Sequence, residues 1–293
     1  MRSRRLGLRA AVSRGRSPVT TRPAPRRTRL PRWAGAAVLL LLGAATACSS
    51  SADGDEAGAA GSGSAPGEPS GTVTVFAAAS LTESFTALGE RFEKAHPGTE
   101  VTFSFGGSDG LAAGITGGAP ADVFASASPR TMKIVTDAGD AAGTPVTFVR
   151  NRLEIATPPG NPEGVSSLKD LTGPDLKVVL CDEAVPCGAA ARTALDAAGL
   201  ELTPVSYEQD VKSALTKVRL KEADAALVYR TDVRAAGDKV EGVDFPEAAE
   251  AVNDYPITLL EDAPNAVAAE AFIAYVRSGE GQRVLADAGF LTP

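Results

Sequence analysis

Residues 100–128 read EVTFSFGGSDGLAAGITGGAPADVFASAS. EVTFSFG (100–106) has the composition of a strand, SDGLAAGIT opens a helix, and ADVFASAS returns as a second strand. Just upstream, TVTVFAAA (72–79) predicts another strand. SLTESFTALGERFEKAH (80–96) then places Leu81, Phe85, Leu88 and Phe92 at helical spacing. The result is a βαβαβ unit, which right-handed crossovers turn into a parallel sheet. Ser80 with Glu83 three residues later forms an S-x-x-E pattern, so Ser80 is expected to cap that first helix. Between residues 105 and 128 there are six glycines, two acidic residues and no basic one, a composition suited to close approach of backbone to a ligand.

Outward from this unit, PVTFVRNRLEIATPPG (145–160) leads away in extended conformation to a second α/β unit. This comprises the strand KVVLCD (177–182), a helix from about Gly188 to Ala198, the PVSYEQ segment, the helix VKSALTKVRLKE (211–222) and the strand AALVY (225–229). YPITLLED and two further helices close the chain. The expected fold is α/β and two-lobed, each lobe a mainly parallel sheet flanked by helices. Residues 72–149 and 254–293 form lobe I and residues 150–253 lobe II, joined by extended crossings near 148–153 and 250–256.

The first 47 residues hold 11 arginines and no lysine or acidic residue, and end in the apolar run WAGAAVLLLLGAATAC. The run is shorter than the roughly 20 residues of a membrane span, and small residues precede Cys48; together these predict an export signal over 1–47. The arrangement resembles a bacterial lipoprotein signal, which implies lipidation of Cys48 and a lipid anchor on the outer face of the cell membrane. Residues 48–71 are Gly-, Ser-, Ala- and Pro-rich and read as a disordered tether. Of the 29 basic residues, 11 lie before residue 48, while all 36 acidic ones lie after it, leaving a formal charge of −18 beyond the signal. That balance excludes nucleic acid as a partner and gives no long-range attraction for an anion. Cys181 and Cys187, in CDEAVPCG, predict a disulfide in an exported protein. With one histidine, His96, there is no cluster for a metal ion or for a Ser–His catalytic pair.

In open α/β sheets, ligands sit at the carboxyl ends of strands, where helix N-termini direct free N–H groups. Ser80, Ser108, Cys187 with Gly188, Val211 after Asp210, and Tyr229 all occupy such positions. Neutral donors in that number suit a small oxyanion.

VFAAASLTESF, FGGSDGLAAGITGGAPADVFASAS, VPCG, DVKSALTKV and AALVY, in this order, resemble the periplasmic molybdate-binding proteins of ABC transporters, over about residues 72–293. The resemblance implies a type II periplasmic-binding fold with the ligand in the interlobe cleft. It further implies a monomer with no enzymatic activity and no cofactor, which binds molybdate, and tungstate with it, and delivers it to a membrane permease. It assigns the oxyanion to the hydroxyls of Ser80, Ser108 and Tyr229 and to the backbone N–H groups of Ser80, Cys187 and Val211, with no metal–protein bond. The alternatives are another oxyanion, sulfate or phosphate, or an exported hydrolase working with carboxylates.

Gly107 stands where relatives often carry a polar residue. Asp109 either faces solvent, favoured by the helix dipole, or faces the cleft, where it would accept a proton from a protonated oxyanion. Tyr207, Tyr255 and Tyr275 read as packing residues, Arg150 and Arg152 as solvated or interlobe, and Asp122 as a backbone-bonding residue near the cleft floor.

Overall fold

The computed structural model describes residues 68–293. The expected signal, Cys48 and all but the last four residues of the expected tether lie outside the described residues. In chain order the elements are β1 (Gly71–Ala78), α1 (Thr82–Ala95), β2 (Thr99–Gly106), α2 (Ser108–Thr116), β3 (Val123–Ala125), α3 (Pro129–Ala138), β4 (Ala141–Asn151) and β5 (Leu153–Thr157). They continue with β6 (Val178–Cys181), α4 (Pro186–Ala198), β7 (Ser206–Glu208), α5 (Val211–Arg219), β8 (Ala225–Tyr229), α6 (Arg230–Ala236), β9 (Glu241–Val243), β10 (Asn253–Leu260), α7 (Ala266–Arg277) and α8 (Gly279–Ala288).

Two five-stranded sheets result, ordered β2-β1-β3-β10-β4 and β7-β6-β8-β5-β9. The parallel units expected from the sequence are the cores of each, β2-β1-β3 and β7-β6-β8. The extended crossings add antiparallel strands: β10 lies between β3 and β4, and β5 lies between β8 and β9. Both sheets are therefore mixed: in the first the returning strand β10 runs against its neighbours, and in the second the entering strand β5 does. The passage from the first sheet to the second is short, Asn151 to Leu153, and there Asn151 is the register partner of Asn253 on the returning strand.

Each sheet buries its own apolar cluster. In the first, Phe85 of α1 is fully buried among Phe103, Phe148 and Phe272, with ring centroids 5.8–6.2 Å away; β1 contributes Val73, Val75 and Ala77, and α7 Phe272 and Val276. In the second, Leu153, Ile155, Val179, Leu227 and Val228 meet Ala194, Leu195, Leu215 and Val218 of the covering helices. Asp122, at the start of β3, accepts from the N–H groups of Thr74 and Asn265 (2.7 and 2.6 Å), tying α7 to the sheet.

The sheets meet across a cleft, and the contacts between its walls include an ion pair, a pair of hydrogen bonds and a close backbone approach. Lys212 Nζ lies 2.7 Å from Glu83 on α1 and 2.9 Å from Asp232 on α6. Arg130 donates to the carbonyls of Glu183 and Ala184 at 3.2 and 2.6 Å. Gly107 approaches Gln209 so closely that a Cβ there would stand 2.4 Å from its carbonyl oxygen. The expected capping box at Ser80 is not formed. A 3-10 turn over Ala79–Leu81 intervenes before α1, Ser80 bonds the Tyr255 hydroxyl at 2.8 Å, and Glu83 is taken by Lys212. Partners brought from across the fold thus replace the local cap.

Burial pushes the Asp232 carboxyl up, against the pull of Lys212. Burial also draws the Lys212 ammonium down, but Asp232 and Glu83 together outweigh it and hold that pKa above its ordinary value. Replacing Lys212 with Met strands a buried carboxylate, at a cost of about 3 kcal/mol in denaturant unfolding at pH 8. In that variant the folded-state pKa of Asp232 exceeds its unfolded value of about 3.9. The folded protein then holds a proton the unfolded chain has released, so the deficit grows as pH rises and shrinks toward about pH 4. Phe85→Ala is expected to cost about 3–5 kcal/mol by the same assay, with no such pH dependence.

Candidate functional site

Where the two sheets face each other, their strand ends release into helices. β2 ends at Gly106, Gly107 caps α2, and Ser108 is its first residue. β6 runs into the CDEAVPC loop and α4 opens with Pro186 and Cys187, so the first N–H of that helix belongs to Cys187. Asp210 caps α5 by accepting from the Ser213 N–H and hydroxyl, both at 2.9 Å, and Val211 opens the helix. In the first turn of each helix no intrahelical acceptor exists for these N–H groups, and each turn carries about half a positive charge.

These termini converge on a small cavity lined by Ala78–Ser80, Gly106–Ser108, Ala127, Val185–Cys187, Asp210–Val211 and Tyr229. Ser80, Ser108, Cys187, Val211 and Tyr229 are all brought together there, each at most 4% exposed. Among the described residues no Lys or Arg lines it, and the one carboxylate that does, Asp210, is turned onto its own helix.

Cys187 is bonded to Cys181 with their Cα atoms 5.8 Å apart, which closes the loop carrying the Cys187 N–H. The turn beneath is tight enough to require glycine at 188, where a Cβ would lie 2.0 Å from the Asp182 carbonyl oxygen.

The hydroxyls of the site are held from behind. Ala127 N–H donates to Ser108 Oγ at 3.0 Å, and Asn253 Nδ2 donates to the Tyr229 hydroxyl at 2.7 Å. Tyr255 OH and Ser80 Oγ lie 2.8 Å apart, and Asn151 Nδ2 reaches Tyr255 OH at 3.4 Å. Burial, seconded by the neighbouring Tyr255, pushes the Tyr229 phenol well above its ordinary pKa; burial pushes Tyr255 up as well. Both rings thus stay protonated and neutral.

Asp109, half-buried in the first turn of α2, does not line the cavity; it borders an adjoining groove with Asp182, Glu208 and Asp210, which shares Gly106, Gly107, Val185 and Asp210 with the cavity. Arg150 and Arg152 pair with Asp254 and Asp244, at 2.6 and 3.0 Å, away from the cavity. Tyr207 is exposed and Tyr275 bonds Glu280. Tyr255, read from the sequence as packing, does pack against Phe290, yet its hydroxyl also holds Ser80. Asn151, Asn253 and Ala127 carry no sequence signal for this site, because strand register and a backbone N–H bring them to it.

Among the described residues no cluster of His, Cys, Asp and Glu is arranged to hold a metal ion, and no helix is long and apolar enough to cross a membrane. The arrangement can receive a small anion through dipoles alone.

The family model of the bacterial extracellular solute-binding proteins matches residues 73–291. The chain is 42% identical over 266 residues to the molybdate-binding protein ModA of Mycobacterium tuberculosis H37Rv, covering 89% of this chain and 100% of that one. It is 33% identical over 232 residues to the molybdate-binding protein ModA of Escherichia coli K12, covering 75% and 89%. The periplasmic molybdate-binding protein of Azotobacter vinelandii shares the fold with a TM-score of 0.67 at 21% identity, over 75% of this chain and 99% of that one. The chain therefore belongs to the bacterial extracellular solute-binding proteins, in the family of the molybdate-binding proteins, which are solute carriers and not enzymes.

Proposed function

We propose that this protein binds molybdate, and tungstate by the same contacts, and hands it to the permease of an ABC transporter. The observation that carries this reading is the convergence of three helix N-termini and three back-bonded hydroxyls on one cavity without a cationic side chain. Ser80, Ser108 and Tyr229 would donate from their hydroxyls, and Ser80, Cys187 and Val211 from their backbone N–H groups. Hydrogen bonds to an ionised acceptor contribute about 1.5–3 kcal/mol each, so several replace the hydration of a dianion without the desolvation penalty of a buried ion pair. The molybdate-binding relatives at 42% and 33% identity support the choice of oxyanion.

The lining also favours a fully ionised ligand. Each hydroxyl has a protein group at its oxygen, which leaves its proton available to the cavity, and the one lining carboxylate is already engaged. A protonated oxyanion such as hydrogen phosphate would find no free carboxylate to accept its own proton. The protein would act as a monomer tethered at the outer face of the cell membrane through Cys48, with hinge closure over the anion producing the form that the permease recognises.

Thermal unfolding with each oxyanion tests the reading directly. Molybdate and tungstate at about 100 times their dissociation constants should add about 2.7 kcal/mol of stability; a shift with sulfate or phosphate alone would reassign the ligand. In calorimetry, Ser108→Ala should weaken molybdate binding by about tenfold or more. Gly107→Ala should weaken it to a similar degree, because the added methyl would press on the Gln209 carbonyl across the cleft.

A further inference from the structure

The Asn253 side chain sits on β10 behind the cavity, and its Nδ2 contacts three segments of the cavity wall. It lies 2.7 Å from the Tyr229 hydroxyl, 2.9 Å from the Ala127 carbonyl and 3.4 Å from the Pro186 carbonyl. Two of these partners are carbonyl oxygens, which only accept, so the amide must present its NH₂ and not its oxygen on this side. The Tyr229 oxygen therefore receives a hydrogen bond from Asn253, which leaves the phenolic proton for another acceptor. The second hydrogen of the same NH₂ is shared, unequally, between two backbone units of the site. One is the Pro186 carbonyl, which shares its peptide unit with the Cys187 N–H; the other is the carbonyl of Ala127, the residue whose N–H holds Ser108 Oγ.

Across the strand pair, the register partner Asn151 is fixed the same way. Its Oδ1 accepts from the Arg152 N–H at 3.0 Å, which turns Nδ2 toward Thr231 at 2.9 Å and the Tyr255 hydroxyl at 3.4 Å. Tyr255 is then free to donate to Ser80 Oγ, and Ser80 to donate forward.

Resting on the molybdate reading above, we infer that Asn253 is a positioning residue for the anion: by donating to Tyr229 it occupies an acceptor position of that hydroxyl and leaves its proton available to the cavity, with Asn151 serving Ser80 likewise through Tyr255. Neither asparagine touches the ligand. Their common effect is to make the hydroxyl face of the cavity unipolar, so that selection for a fully ionised oxyanion is set on the strands that join the lobes.

A double-mutant cycle read by calorimetry of the purified protein with sodium molybdate tests this. Asn253→Ala and Tyr229→Phe should each weaken binding about tenfold. If Asn253 acts through Tyr229, the double variant should lose no more than about threefold beyond the weaker single variant. Losses that multiply toward a hundredfold overturn the inference. Asn253→Asp keeps the shape but accepts where Asn donates, so it should bind at least as weakly as Asn253→Ala; near-wild-type affinity in Asn253→Asp also overturns it. Wild-type protein that binds no molybdate overturns the functional reading and this inference together, whereas wild-type binding with multiplying losses overturns this inference alone.

Discussion

A dianion leaves water for a protein interior only where every lost water contact is replaced by a donor already in position. Fixed dipoles meet this demand without placing a second buried charge beside the first, and they do not reorganise when the ligand arrives. Much of the architecture around the cavity follows from that demand. The parallel strands must end together so that α2, α4 and α5 start at one point, and each start must leave its first N–H groups unoccupied by local caps. Where a cap is present, at Asp210, it binds the Ser213 N–H and leaves the Val211 N–H alone.

The same demand explains the close approaches. Glycine at 107 lets two backbone segments meet at the cleft, and glycine at 188 lets the CDEAVPC loop fold under α4. The Cys181–Cys187 bond and the Arg130 contacts to Glu183 and Ala184 converge on that one loop, whose helix is capped by an apolar residue, Val185, with no side-chain acceptor. Cross-links from two directions supply rigidity that a side-chain cap would otherwise give.

Strand–helix alternation is a local signal, and residues at strand-to-helix junctions can be located from it, which is why Ser80, Ser108, Cys187, Val211 and Tyr229 stand out as candidates in the chain alone. Long-range pairing carries no such local mark. The Ser80–Glu83 pattern has the form of a capping box, but Tyr255 and Lys212, distant in sequence, take both members. The antiparallel strands of both sheets come from crossings whose direction depends on where the chain re-enters. Asn253 reads as an ordinary polar residue at the edge of a strand, and only its register opposite Asn151 places it behind the cavity.

That register has a mechanical side. Since β4 and β10 are hydrogen-bonded to each other up to the point where the chain crosses between sheets, the joint between the lobes is a two-stranded ribbon and not a pair of independent tethers. A ribbon bends readily out of its plane but resists sliding of one strand along the other, since sliding would break its ladder. In the proposed closure over the anion, such a ribbon would confine the lobes to bending about it and return the same atoms to the same places.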